Sequence, residues 1–243
     1  MIAEHDLVPI VVLGLIIAFG ALVQSVVGFG LAVVAVPFMV LIAPDLLPGA
    51  MLVTSLALPA WELISGPRDV DWQHWWWAIG GRVALMPVGV WLVAHASSSA
   101  IALIVGVLVL AGVAGSLWAV DLRPTPGGAL AAGAITGISG TAASIGGPFL
   151  GLVLQHERAS RIRSTLAMFF VVGAATALLG LAVGGQLRHD QIVVGLAWVP
   201  FVVAGSALAV PLRRRMPEAA MRRAVLVLAA TAGAVVIVRA IVS

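Results

Sequence analysis

The chain has no cysteine, no lysine and no tyrosine, and little charge of either sign. Lack of cysteine excludes disulfides, thiolate metal sites and cysteine redox chemistry. Charged residues make up only 9% of the 243 positions, against about 25% in soluble domains, while 62% are hydrophobic and the mean hydropathy is +1.15. A soluble fold of this composition would expose large apolar patches, so the composition predicts a protein that crosses a lipid bilayer several times. All 13 basic residues are arginine, and the isoelectric point of about 11.3 follows from that usage. The arginines sit at loops and helix ends, as topology signals do, with no basic groove and no interleaved stacking aromatics, which excludes nucleic acid as a partner. The start, Met-Ile-Ala-Glu-His-Asp, has no positive n-region, so the first apolar segment is expected to remain in the mature protein.

Against this apolar background one stretch stands out. Gly137–Pro148 (Gly-Ile-Ser-Gly-Thr-Ala-Ala-Ser-Ile-Gly-Gly-Pro) packs four glycines, three hydroxyl residues and a proline between the apolar runs Ala129–Ile135 and Phe149–Leu154. Glycine costs roughly 1 kcal/mol against alanine inside a helix and proline about 3, so this segment is expected to break a helix. Broken backbone at membrane depth must be buried in protein or line a wet cavity. Transporters hold solutes in that geometry. A fainter copy occurs at Gln24–Leu31 (Gln-Ser-Val-Val-Gly-Phe-Gly-Leu).

Read in order, residues 8–43 form a helical hairpin broken at Gly28-Phe29-Gly30, with at least one short arm. Spans are expected at 49–65, 76–95 and 100–119, with Trp72, Trp75, Trp76 and Trp77 as an interfacial belt. A polar linker at Asp121–Gly128 marks the midpoint. The second half repeats the plan: a hairpin over 128–155, then spans at 164–184, 191–211 and 224–242. Aligning Gly28-Phe29-Gly30 with Ser144-Ile145-Gly146 superposes the hairpins and sets Gln24-Ser25 on Gly140-Thr141. The expected fold is therefore an all-α integral membrane protein of two inverted repeats, 1–120 and 121–243, in one membrane domain. Each repeat is a broken hairpin, re-entrant or fully crossing, followed by three transmembrane helices. Arginine counting places Arg158, Arg161 and Arg163 and the cluster Arg213–Arg215, Arg222 and Arg223 on the cytoplasmic side, which puts both termini outside.

The paired breaks carry the functional expectation. Each second arm begins near Gly30 or Gly146 with its first N–H groups free, and a helix N-terminus favours an anion. Gly28, Gly30, Gly146 and Gly147 let a ligand approach the backbone; Ser25, Thr141 and Ser144 offer hydroxyls, and Gln24 an amide. No carboxylate lies near either break, which argues against a cation site and for a small anion. The competing reading is that small residues only let helices pack closely. Arg82, inside its span, either attracts the anion or pairs with Glu62 on the preceding span. Arg161 and Arg163 are topology anchors or a cytoplasmic funnel for anions. Thr54, Ser55 and Thr165 either face the breaks or bond their own backbone.

These residues resemble a family. Gly28-Phe29-Gly30 before an apolar run containing Pro37, and Ile145-Gly-Gly-Pro-Phe-Leu150 followed by Arg161-Ile-Arg163-Ser-Thr165-Leu, are similar to the TauE/SafE family of bacterial membrane transporters. The resemblance covers nearly the whole chain. It implies a permease in the cytoplasmic (inner) membrane that moves sulfite or organosulfonates such as sulfoacetate, often outward. Leu31 stands where a further glycine is common, which implies that the second hairpin carries more of the site.

Two other functions compete with this one. Gly137-Ile138-Ser139-Gly140 matches the Gly-x-Ser-Gly of intramembrane serine proteases. A nucleophilic serine needs a base within reach, and the five histidines (5, 74, 95, 156 and 189) fall in loops or at helix ends. An anion channel would share the fold and differ only in whether both gates open together. No His-x-x-x-His or Glu-x-x-His pair marks a metal site, so no cofactor is expected. Sequence leaves substrate, direction, coupling ion and oligomeric state open.

Overall fold

A computed structural model of the chain describes residues 7–27, 30–66, 68–117, 124–212 and 218–242. Among these there are α-helices, one short 3-10 turn at Pro44–Leu46, and no strand. The helices are α1 (Leu7–Val27), α2 (Leu31–Ile42), α3 (Gly49–Ser55), α4 (Ala57–Ser65), α5 (Trp72–His95) and α6 (Ser98–Leu117), then α7 (Pro126–Ala142), α8 (Gly147–Val153), α9 (Ala159–Val183), α10 (His189–Ala197), α11 (Val199–Leu212) and α12 (Glu218–Val242). Among the described residues four stretches are long and apolar enough to cross a membrane: Val8–Val26, Trp72–His95, Ala159–Val183 and His189–Ala209.

The molecule is apolar outside and polar at selected points inside. Val8, Leu15, Leu179, Val183, Leu208 and Val238 are exposed, while Gln24, Thr54, Arg82, Thr136, Ser139, Thr165 and Gln191 are buried. In water that distribution would be unstable; in lipid it is expected, because the hydrocarbon solvates the apolar exterior and buried polar groups lie on the bundle interior. The chain is a multi-pass membrane protein. Trp72, Trp76 and Trp77 are exposed as an interfacial belt requires, but Trp75 turns inward and is buried.

Two expected spans are each split. Residues 49–65 divide into α3 and α4 around Leu56, and the 191–211 stretch divides into α10 and α11 at Trp198. Proline has no N–H and its ring crowds the carbonyl four residues back. Pro59 therefore disturbs the helix at Ser55, and Pro200 disturbs it at Leu196. Both hairpins have a long first arm and a short second arm: 21 and 12 residues in the first, 17 and 7 in the second.

Close helix contacts run through small residues. Along α5 and α7, a Cβ added at Gly133 would collide with the Ala78 carbonyl, one at Gly137 with the Arg82 carbonyl, and one at Gly89 would lie 2.9 Å from the Ile138 carbonyl. The contacts advance together, so α5 and α7 are parallel. α1 and α11 form a second parallel pair: the Trp198 indole N–H donates to the Ile10 carbonyl at 2.9 Å, and a Cβ at Gly205 would collide with the Ala18 carbonyl. α6 and α12 run antiparallel, with a Cβ at Gly106 reaching 3.0 Å from the Gly233 carbonyl and one at Gly233 reaching 3.1 Å from Val109. Without a hydrophobic force between helices in lipid, such close approach supplies the dispersion contact that holds them together.

Candidate functional site between two helix breaks

The first break lies between α1 and α2. Gly28 and Phe29, including the expected site residue Gly28, are outside the described residues. Gly30 has φ +140°, a conformation that side-chain-bearing residues rarely adopt. The Leu31 N–H donates to Gln24 Oε1 at 3.2 Å, a buried bond. The expectation that the second arm opens with free N–H groups is therefore corrected at Leu31: the Gln24 amide has taken its place as acceptor. Ala32 and Val33 follow in the first turn and face the cavity described below.

The second break, Ala143–Gly146 between α7 and α8, is held by hydroxyl groups. Ser139 Oγ donates to the Ile145 carbonyl at 2.7 Å, and Thr136 Oγ1 donates to the Ala132 carbonyl at 2.7 Å and the Gly146 carbonyl at 3.4 Å. The Ser139 and Thr136 hydroxyls thus tie the backbone carbonyls of the break back to α7. Ser144 sits at φ +57°, in the left-handed region, which costs a non-glycine residue roughly 1–2 kcal/mol. Its hydroxyl donates to the Pro48 carbonyl at 3.2 Å, tying the break to the start of α3.

Between the breaks stands Arg82, 4% exposed, on the middle of α5. Backbone positions from two other helices surround its guanidinium. A Cβ at Gly140 would lie 2.9 Å from Nη1, one at Gly146 would lie 3.5 Å from it, and one at Gly173 of α9 would lie 2.5 Å from Cζ. The guanidinium carbon lies 5.2 Å from the Phe169 ring centroid, a cation–π distance. Among the described residues Arg82 makes no hydrogen bond and no ion pair, and its Nε is buried without a partner. The expected pairing with Glu62 is not formed; Glu62 lines a different cavity with Ser25 and Arg163. The glycines of the second break thus have a use that sequence reading missed. Gly140, near the end of α7, makes room for an arginine side chain arriving from another helix, and Gly146 makes room for the Thr136 methyl group.

Arg82 faces a cavity of about 50 Å³. Gln24, Gly30, Ala32 and Val33 line it from the first break, and Gly140, Ser144 and Gly146 from the second. Leu52, Ser55 and Pro59 of α3 and α4 and Phe170 and Ala174 of α9 complete it. A buried positive charge, the Gln24 amide and no carboxylate give this cavity a chemistry that suits a small anion, while the Ser55 and Ser144 hydroxyls donate to the Leu52 and Pro48 carbonyls.

The family model described as Sulfite exporter TauE/SafE matches residues 13–236. The chain belongs to the TauE/SafE family. No curated protein and no solved structure matches it.

In this TauE/SafE protein, Gln24, Gly30, Arg82, Ser144 and Gly146 come together around one cavity, with Gly147 next in the chain as the first residue of α8. The other expected site residues lie elsewhere. Thr54 is buried between α3 and α10, where its hydroxyl contacts the Ala50 carbonyl at 2.8 Å and the Gly195 carbonyl at 3.0 Å. Its neighbour Ser55 lines the cavity instead. Thr141 packs against Gly89 of α5 rather than into the cavity, and its hydroxyl has no partner among the described residues. Thr165 accepts the Asp71 N–H at 2.9 Å, joining the start of α9 to the start of α5. Ser25 and Arg163 line a second cavity of about 510 Å³ with Glu62, Ser65, Ser164 and Ser206. A third, of about 280 Å³, lies at the other ends of α5 and α9, lined by Asp45, Pro48, Ala96, Gln186, Arg188 and Gln191.

Sequence reasoning left open whether Ser55 faces the break and missed Gly140 as a space-maker, Gly173 and Phe169. Pro59 four residues after Ser55 and the lone mid-helix Gly173 were the available signals. Ser139, the residue of the protease-like motif, spends its hydroxyl on the Ile145 carbonyl.

Proposed function

We propose that this TauE/SafE protein exports sulfite, or an oxyanion of similar size, across the cytoplasmic membrane by alternating access at the Arg82 cavity. The observation that carries the reading is a buried arginine with no protein partner among the described residues, facing a cavity between two helix breaks. A cavity of about 50 Å³ suits a small oxyanion such as sulfite, with four heavy atoms, better than a larger organosulfonate. Sulfoacetate has twice as many and needs a wider state of the cavity. The larger cavities at opposite ends of α5 and α9 are fitting approaches from the two membrane faces.

Alternating access in such proteins rests on inverted repeats, and three contacts favour two inverted halves, 1–120 and 121–243. α1 of the first half pairs in parallel with α11 of the second, and α7 of the second pairs in parallel with α5 of the first. α6 and α12 meet antiparallel through Gly106 and Gly233, as a two-fold axis in the membrane plane requires. In this reading both termini face outward.

The test is efflux of radiolabelled sulfite from proteoliposomes. Wild-type protein should release sulfite in a saturable manner, and Arg82→Met should reduce release to the protein-free rate while still inserting. Unchanged release by Arg82→Met would exclude this site.

A further inference from the structure

The surroundings of Arg82 also bear on how the carrier turns over. We propose that Arg82 keeps a small monovalent anion as its counter-ion whenever the protein changes conformation, so that outward movement of one anion is exchanged for inward movement of another. This rests on the transport reading above.

The lining of the cavity sets its charge. Gln24, Ser55 and Ser144 are neutral, and no carboxylate among the described residues pairs with the guanidinium. Phe169 and the glycine backbones of Gly140 and Gly173 contribute no negative charge. The protein site is therefore +1 by itself. Intramembrane arginines ordinarily pair with a carboxylate or backbone carbonyls, because an uncompensated buried charge is costly. Here the compensating charge must come from the ligand. A singly charged anion brings the site to neutrality, and the loaded protein then reorients without carrying net charge through the membrane field. The unloaded protein would have to carry +1, desolvated, through the same change. Return of the carrier is thus fast only when an anion rides back. The ligand class follows: chloride, bicarbonate, or the singly protonated form of a divalent oxyanion, each small enough for the cavity and each of charge −1.

The experiment measures sulfite efflux from wild-type proteoliposomes with the membrane potential clamped and either chloride or gluconate outside. Gluconate is too large for the cavity. Efflux at least tenfold faster into chloride is expected. Equal rates into both would overturn exchange and leave transport standing; no efflux into either would overturn the transport reading and exchange with it. In parallel, thermal stability in detergent is followed as chloride replaces gluconate, since a ligand bound only to the native state stabilises it by mass action. Wild type and Arg82→Lys should gain stability saturably and Arg82→Met should not. An equal gain in Arg82→Met would overturn the resident anion. Should that variant not fold, sulfite and chloride are titrated together on wild type: one shared site gives non-additive stabilisation, and additive stabilisation overturns the proposal.

Discussion

The two helix breaks solve the same problem with opposite chemistry. At the first, an acceptor is brought to an orphan N–H: Gln24 Oε1 takes the Leu31 N–H. At the second, hydroxyl donors are brought to carbonyls of the break: Ser139 takes that of Ile145, and Thr136 reaches that of Gly146. In the alignment of the hairpins Gln24 falls on Gly140. Where the first break places a long amide side chain of its own, the second has a bare glycine, and the guanidinium of Arg82 from α5 occupies that space. One break closes on itself; the other is completed by a charge from a different helix. A site assembled this way has one positive charge and not two, which sets the charge of the anion it favours.

The largest expected effect comes from crowding the arginine. Gly173→Ala puts a methyl group 2.5 Å from Arg82 Cζ, so the guanidinium has to leave its position. Sulfite efflux should fall at least tenfold, with a stability loss of about 1–3 kcal/mol from overpacking. Efflux at the wild-type rate would show that the position of the guanidinium is unimportant.

Gln24→Ala should act mainly on stability. It leaves the buried Leu31 N–H without its acceptor, a cost of about 1–3 kcal/mol. Chemical denaturation should show that loss, and sulfite affinity should fall less than in Arg82 variants. An affinity loss as large as that of Arg82→Met would mean the first break carries the anion equally.

Ser139→Ala sharpens the contrast from the other side. It removes the donor to the Ile145 carbonyl and should cost about 1 kcal/mol, while efflux continues. Abolished efflux with unchanged stability would return Ser139 to the list of functional groups.

The smallest effect lies away from both breaks, at the start of α5. Burial raises the Asp71 pKa, but the hydrogen bonds from the His74 side chain and backbone, with the nearby His74 and Arg161 charges, more than offset it, and the carboxyl is held below its ordinary value. A depressed carboxylate stabilises the fold above its unfolded pKa of about 4, and that contribution is lost as pH falls through the folded value. Melting temperatures of wild type and Asp71→Asn should therefore differ modestly at pH 7 and converge below pH of about 4. A gap that persists in acid would assign the difference to packing.

Composition and the pattern of breaks by themselves determined a good part of this protein. Low charge and long apolar runs dictate a bilayer solvent, because no soluble fold could cover so much apolar surface. Clusters of glycine, serine and proline in apolar sequence mark the two hairpin breaks, because the cost is local to those residues, although single prolines at Pro37 and Pro87 stand inside continuous helices. Family motifs are contiguous in the chain, so the TauE/SafE resemblance was legible as well. Tertiary structure decided the rest. Whether Thr54 or Ser55 faces inward depends on the disturbance that Pro59 introduces and on Gly195 of a distant helix accepting the Thr54 hydroxyl. Whether Arg82 pairs with Glu62 depends on how α4 and α5 rotate about their axes, which no local rule fixes. And the stretch Gly137–Pro148 reads in sequence as a cradle for a ligand's approach to the backbone. In the fold, its Gly140 first makes room for the Arg82 side chain, because α5, α7 and α9 converge there from three remote parts of the chain.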